Sequence, residues 1–183
     1  MSIDHPQPES LSFASFWFLK PSHRTRPEQT VGFFIFLLIS AGFELLNQWI
    51  ALSTLNSDWF HLLKQAPWSL KNWPETPFWA VYHFLLAFSM WTFWRRNFLR
   101  YLKLELSMFF FSFSLQLAWC LSFFVLHETL LALIGLILLL CSLILSSLLF
   151  WKKERISGQL LIPPLIWVFY VMGINMVICI ANP

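Results

Sequence analysis

Thr76-Pro77-Phe78-Trp79-Ala80-Val81-Tyr82-His83 opens the stretch on which the reading of this chain turns. It follows a polar connection rich in tryptophan (Trp59, Trp68, Trp73) and continues as an apolar run through Trp91 and Trp94 to Arg95-Arg96. Thr76 has the side chain of an N-cap, and Pro77 then falls at the first helical position, where its missing N–H costs nothing. A 3.6-residue period puts Trp79, His83, Leu86, Met90 and Trp94 on one face. An aromatic loop therefore feeds a helix whose one stripe is aromatic and carries a single ionisable group. That is the pattern of a lid over the wall of a pocket.

The surrounding chain supplies the medium for that wall. Only 11% of the residues are charged and 58% are hydrophobic, against roughly 25% charged in an ordinary soluble domain. After Glu105 the next formal charge is Glu128, after that Lys152, and beyond Arg155 there is none. A hydrocarbon core of about 30 Å takes about 20 helical residues to cross, so each gap is long enough for a span. The expectation is an all-α integral membrane protein, a bundle of five transmembrane helices with a long first loop capping the pocket.

Residues 1–29 read as a cytosolic tail, because prolines and both charge signs interrupt any span there. The short run Phe16-Trp17-Phe18 suits the membrane surface. The membrane domain occupies 30–183, with spans at about 30–52, 76–94, 104–126, 129–151 and 158–180. Span one is broken only by Glu44, which shares a helical face with Ser40 and Asn47. A carboxylate there either faces the bundle, as membrane-embedded carboxylates generally do, or reaches the interface from near the helix end. The connection 53–75 is too aromatic for a disordered linker and too long for a simple turn. Some of its rings serve as interfacial anchors. Span four is aliphatic and nearly featureless, which suits packing and lipid contact.

Ten of the twelve Lys and Arg residues lie in the tail, the second connection and the fourth connection; only Lys64 and Lys71 fall on the other side. The positive-inside rule makes the N-terminus cytoplasmic and places the tryptophan loop and the C-terminus outside. Cys120, Cys141 and Cys179 all fall inside spans, without metal-ligand spacing. No phosphate loop, zinc motif or serine elbow occurs, and the short juxtamembrane basic clusters give no sign of nucleic-acid binding.

Two further runs carry an identity. One is Gln116-Leu-Ala-Trp119-Cys-Leu-Ser-Phe123-Phe124; the other is Leu161-Ile-Pro163-Pro164-Leu-Ile-Trp167, continuing to Asn175 and Asn182. With Thr76-Pro77-Phe78-Trp79 they resemble the TspO/MBR family, the tryptophan-rich sensory or translocator proteins. That family's patterns are Phe-Gly-Pro-x-Trp in span two, Asn-x-x-Trp-Ser-x-x-Phe-Phe in span three and Leu-x-Pro-Tyr-x-x-Trp in span five. The match runs in register from about residue 30 to 182. The departures mark a divergent, bacterial-type member. Gln116 stands for the family's Asn, Pro164 for its Tyr, and Tyr82-His83 for its Leu-Tyr. Of the loop motif only Trp68 remains. The residues after Asn175 hold neither the Tyr nor the basic residue of the animal proteins' cholesterol pattern.

The resemblance implies a cavity between the helices that binds porphyrins and other flat apolar molecules. Aromatic faces with a few placed polar groups suit such a ligand on physical grounds too. The candidate binding residues are Trp68, Trp79, His83, Gln116, Trp119, Pro163, Trp167 and Asn175, with Ser112 one turn before Gln116. Trp59, Lys64, Lys71 and Trp73 form the lid, its lysines placed to meet ligand carboxylates. No cofactor is obligatory; porphyrin or haem is a possible ligand, and His83 is a candidate ligand to haem iron.

The favoured activity is that of a receptor, sensor or carrier. One alternative is light-dependent porphyrin degradation using Trp79 and Trp167, as suggested for some family members. Another is a small-molecule transporter with Glu44 and His83 as proton-coupling groups. The setting is the lipid bilayer, in a bacterial inner membrane. Ser114, Ala118 and Ser122 recur at every fourth residue, a small-residue ridge suited to a homodimer seam through span three, and bacterial family members are dimers packed through this region.

Overall fold

The computed structural model describes residues 24–69, 75–97 and 102–182, and all of their regular structure is helical. Helix α1 is Arg26–Leu55, α2 Asp58–Leu62, α3 Thr76–Arg96 and α4 Lys103–Cys120, continued by a π turn at Leu121–Val125. Then come α5 at Thr129–Lys153, the short α6 at Arg155–Gln159, and α7 at Ile162–Ala181. The expected tail residues before 24, the lid positions Lys71 and Trp73, and part of the basic turn lie outside the described residues.

Helix α1 begins four residues before the expected Thr30. Thr25 and Glu28 form a reciprocal capping box, the Thr25 N–H donating to Glu28 Oε2 at 2.8 Å and the Glu28 N–H to Thr25 Oγ1 at 3.5 Å. This satisfies two of the backbone donors that a helix start leaves free. At α3 the expected cap is corrected by one residue. Glu75 occupies the N-cap, Thr76 is already helical, and its hydroxyl instead donates to Gln48 Oε1 on α1 at 3.3 Å.

Helix α3 packs on α1, α4 on α5, and α5 on α7, with α3 also touching α6 and α7. Helix α6 folds back tightly on the end of α5. A Cβ on Gly158 would lie 2.8 Å from the Trp151 backbone, so no larger residue fits without a shift. The Ser147 and Ser89 hydroxyls tie this corner down, donating to the carbonyls of Gly158 at 3.0 Å and Ser157 at 2.7 Å.

Large apolar side chains such as Leu38, Trp49, Leu138, Leu148, Ile166 and Phe169 point outward, while Ser40, His83, Glu105, Gln116 and Asn175 are buried. That inversion of the soluble pattern is what a hydrocarbon solvent requires. Residues 26–55, 103–125, 129–153 and 155–181 form helices long and apolar enough to cross a membrane. Helix α3, with 21 residues, is shorter than these and carries His, Thr, Ser and several indoles. It can do so because much of its surface is held inside the bundle. The end of the bundle rich in basic residues is closed by two ion pairs. Arg96 pairs with Glu154, both buried, and Lys153 Nζ meets the fully buried Glu105 Oε1 at 2.5 Å.

Candidate functional site

The aromatic face anticipated on α3 converges with rings from α4 and α7. Trp79 stacks on Trp119 of α4 with centroids 5.3 Å apart, meets Trp167 of α7 edge-on at 5.8 Å, and meets Tyr82 edge-on at 5.3 Å. Phe78 stacks on Trp167 with centroids 4.7 Å apart. These separations fall within the range at which ring pairs attract beyond simple area burial. Gly135 of α5 lets α4 approach here, since its Cβ position lies only 3.4 Å from the Trp119 Cβ.

Within and beside this cluster, polar atoms are buried without partners. Trp119 Nε1, Trp167 Nε1 and the Tyr82 hydroxyl are donors with no acceptor, and Gln116 Oε1 and, about 12 Å further along α7 than Trp167, Asn175 Oδ1 are acceptors with no donor, among the described residues. A buried group left unpaired costs about 1–3 kcal/mol. A concentration of such groups around stacked rings is expensive for a purely structural core.

A second, polar cluster lies against the first. His83 is buried between α1 and α4 with its ring stacked on Phe113 at 5.5 Å. Its Nε2 is 3.1 Å from Glu44 Oε2 and 3.1 Å from the Gln116 amide nitrogen; its Nδ1 is 3.2 Å from Ser40 Oγ. Gln48 Nε2 donates to Glu44 Oε1 at 2.9 Å. Of the two sequence readings of Glu44, the structure places it inside the bundle rather than at the interface. Both His83 ring nitrogens are engaged, so binding of haem iron there requires releasing Glu44 and Gln116 first.

Several expected site residues lie elsewhere. Trp68 is 55% exposed, and its backbone carbonyl accepts from the Tyr170 hydroxyl at 3.0 Å. Lys64 is exposed, but its backbone is clasped by Asn182: the Lys64 N–H donates to Oδ1 at 3.0 Å, and Nδ2 donates to the Lys64 carbonyl at 3.2 Å. The loop thus lies along α7 between Tyr170 and Asn182. Trp59 stacks on His127 at 4.0 Å, and His127 itself has a left-handed backbone (φ 58°). Pro163 is exposed at the start of α7, while its neighbour Pro164 is buried. Ser112 faces α5, its hydroxyl 3.2 Å from that of Ser142.

The ridge on α4 is also corrected. Ser114 and Ala118 are exposed on the outer face, but Ser122 is only 7% exposed. The π turn shifts the register there, with the Leu126 N–H donating five residues back to the Leu121 carbonyl at 3.0 Å. Tyr82, Phe78 and Gln48 are members that sequence reasoning did not single out, whereas Ser40 stands on the polar face it shares with Glu44. Tyr82 carried a signal, standing three residues after Trp79. A separate groove of about 530 Å³, lined by Trp49, Ile50, Leu52, Ser53 and Val125, contains none of these residues.

A helical bundle with an apolar exterior, an aromatic interior and buried polar groups defines a polytopic membrane protein. Residues 33–180 match the TspO/MBR family, and the chain belongs to that family. It is similar to the tryptophan-rich protein TspO of Chlorobaculum tepidum, with 26% identity over 132 residues, covering 69% of this chain and 82% of that protein. Family membership supports the role of a membrane sensor, receptor or transporter.

Proposed function

We propose that this protein is a receptor, sensor or carrier that binds porphyrins and related flat apolar molecules at the cluster of Trp79, Tyr82, Trp119 and Trp167. The observation that carries the reading is the set of unpartnered buried donors, Trp119 Nε1, Trp167 Nε1 and the Tyr82 hydroxyl, within stacked rings. A planar ligand inserted between rings exchanges ring–ring contact for ring–ligand contact of the same kind. Its carboxylates or ring acceptors would meet those donors. The lid clasp through Asn182 and Tyr170 keeps the loop beside this site.

The distribution of basic residues favours an inner-membrane orientation with the N-terminus cytoplasmic and the lid outside. The exposed Ser114 and Ala118 favour a homodimer seam on the outer face of α4. Porphyrin photodegradation is the second reading, favoured by the edge-on contact of Trp79 with Trp167. Titrating protoporphyrin into the purified protein separates the two. Binding alone predicts saturable quenching of tryptophan emission in the dark with the pigment intact under light. Light-dependent bleaching that requires the protein supports chemistry, and the absence of quenching refutes both.

A further inference from the structure

We propose that Glu44 and His83 form a proton-binding site inside the bundle, open to lid-end water through Gln48 and Thr76, which takes up one proton when an anionic ligand occupies the aromatic site. The proton site stands on its own geometry, whereas its coupling to a ligand rests on the function proposed above.

Counting hydrogens gives the first part. Ser40 Oγ lies 2.7 Å from the His83 carbonyl oxygen and 3.2 Å from His83 Nδ1. A hydroxyl has one hydrogen, and the carbonyl has none to give, so the shorter contact takes it. The hydrogen between Oγ and Nδ1 then belongs to the ring. At the other nitrogen, Nε2 is hydrogen-bonded to the Gln116 amide at 3.1 Å and lies 3.1 Å from Glu44 Oε2, a buried oxygen with no hydrogen-bond partner among the described residues. A buried carboxylate oxygen without a donor, this close to a nitrogen lone pair, is repulsive, so the two groups share one proton. It resides on the ring, giving an ion pair, or on Glu44, giving two neutral groups. Both forms hold zero net charge, as a pair buried within a membrane requires. The Gln116 amide serves either form, because turning it over exchanges its acceptor for its donor.

The route is the second part. Glu44 Oε1 accepts from Gln48, Gln48 Oε1 accepts from Thr76, and Thr76 is exposed. His83 lies seven residues into α3, about 10 Å from its start. The polar chain covers that whole distance to the lid-end surface. The titratable groups facing the pair are Tyr82, whose ring lies 5.2 Å from that of His83, and Cys120, one turn beyond Gln116. Glu75 stands at the mouth beside Thr76, where burial holds its carboxyl above the usual range. The ion pairs of Arg96 with Glu154 and Lys153 with Glu105 lie at the opposite end.

A ligand carboxylate brought against Tyr82, Trp119 and Trp167 adds a negative charge to a medium that penalises it. One proton from lid-end water balances it. The proton ends on the Glu44 carboxylate while the ring keeps both hydrogens, taking the pair from zero to +1 and the total with the carboxylate back to zero. On ligand release the same proton returns to water.

The test uses full-length protein in lipid nanodiscs. In ¹⁵N-histidine NMR, His83 should show a protonated Nδ1 at neutral pH, with an Nε2 signal that shifts in Glu44→Gln. A bare Nδ1, or an Nε2 signal indifferent to Glu44→Gln, overturns the proton site. Should that variant fail to fold, Gln48→Leu leaves the pair intact and should slow hydrogen–deuterium exchange at the His83 ring; unchanged exchange overturns the route. Protoporphyrin, a dicarboxylate, should bind tighter as pH falls, with a slope of up to about tenfold per unit for the one proton taken up. Its dimethyl ester should show no such slope, and Glu44→Gln should abolish it for the acid. A slope that survives in Glu44→Gln, or that the ester shares, overturns the coupling. If neither porphyrin binds, the ligand reading falls and the coupling with it, while the NMR result decides the proton site independently.

Discussion

Replacing Arg96 by Met should destabilise the bundle far more than replacing Arg96 and Glu154 together. Their side chains are 4% and 7% exposed and pair directly where α3 ends and α6 begins. Removing one member strands the other charge in a site that water does not reach, a change that costs about 3–5 kcal/mol. For a chain of this size each kcal/mol moves the melting temperature by roughly 2–4 °C, so the single variant should melt about 6–20 °C lower. The double variant Arg96→Met with Glu154→Leu removes both charges and keeps the volume, and should fall within about 1 kcal/mol of wild type. Thermal unfolding at fixed detergent concentration, followed by circular dichroism, measures both. A single variant costing less than about 1 kcal/mol would show a pair behaving like an exposed one. A double variant as unstable as the single would show that the lost charge–charge contact is not the cause.

Three further outcomes follow from the packing. Gly158→Ala should cost about 1–3 kcal/mol, read by the same melting assay, because its Cβ would press on the Trp151 backbone at 2.8 Å; an unchanged melt would show that the α5–α6 corner yields freely. Ser114→Leu with Ala118→Leu should separate protomers in mild detergent, seen as a lower mass by light scattering, since both positions are exposed on the outer face of α4. A dimer that survives puts the seam elsewhere. In a cysteine-free background, cysteine at Ser69 should label with an impermeant thiol reagent from outside intact cells, and cysteine at Lys153 should not; the reverse pattern would invert the orientation.

The long apolar helices were legible because lipid leaves a coarse signal, long charge-free runs bounded by basic residues. The start of α1 was missed although Thr25 and Glu28 carry the spacing of a capping box, because the surrounding charges read as tail. The π turn after Cys120 leaves no periodic trace, and so Ser122 was counted on the outer ridge although it turns inward. Trp79, Trp119 and Trp167 were legible as faces of separate helices, but their mutual contacts depend on how those helices cross. The pairing of Glu44 with His83 lay beyond sequence for the same reason. A single helix shows that an ionisable group is embedded and leaves open what it meets. Trp68, expected among the ligand-binding residues, is largely exposed, and it is its backbone carbonyl that the Tyr170 hydroxyl engages.

The most direct test of the central claim is the protoporphyrin affinity of Trp79→Ala, Trp119→Ala and Trp167→Ala, measured by porphyrin absorbance, with helicity and melting checked in parallel. Stacking of a planar ligand on an aromatic side chain is worth about 1–3 kcal/mol. Each variant should therefore raise Kd by about 5- to 150-fold relative to wild type, with the helical content unchanged. Wild-type affinity in all three folded variants would contradict the account and place any porphyrin site away from this cluster.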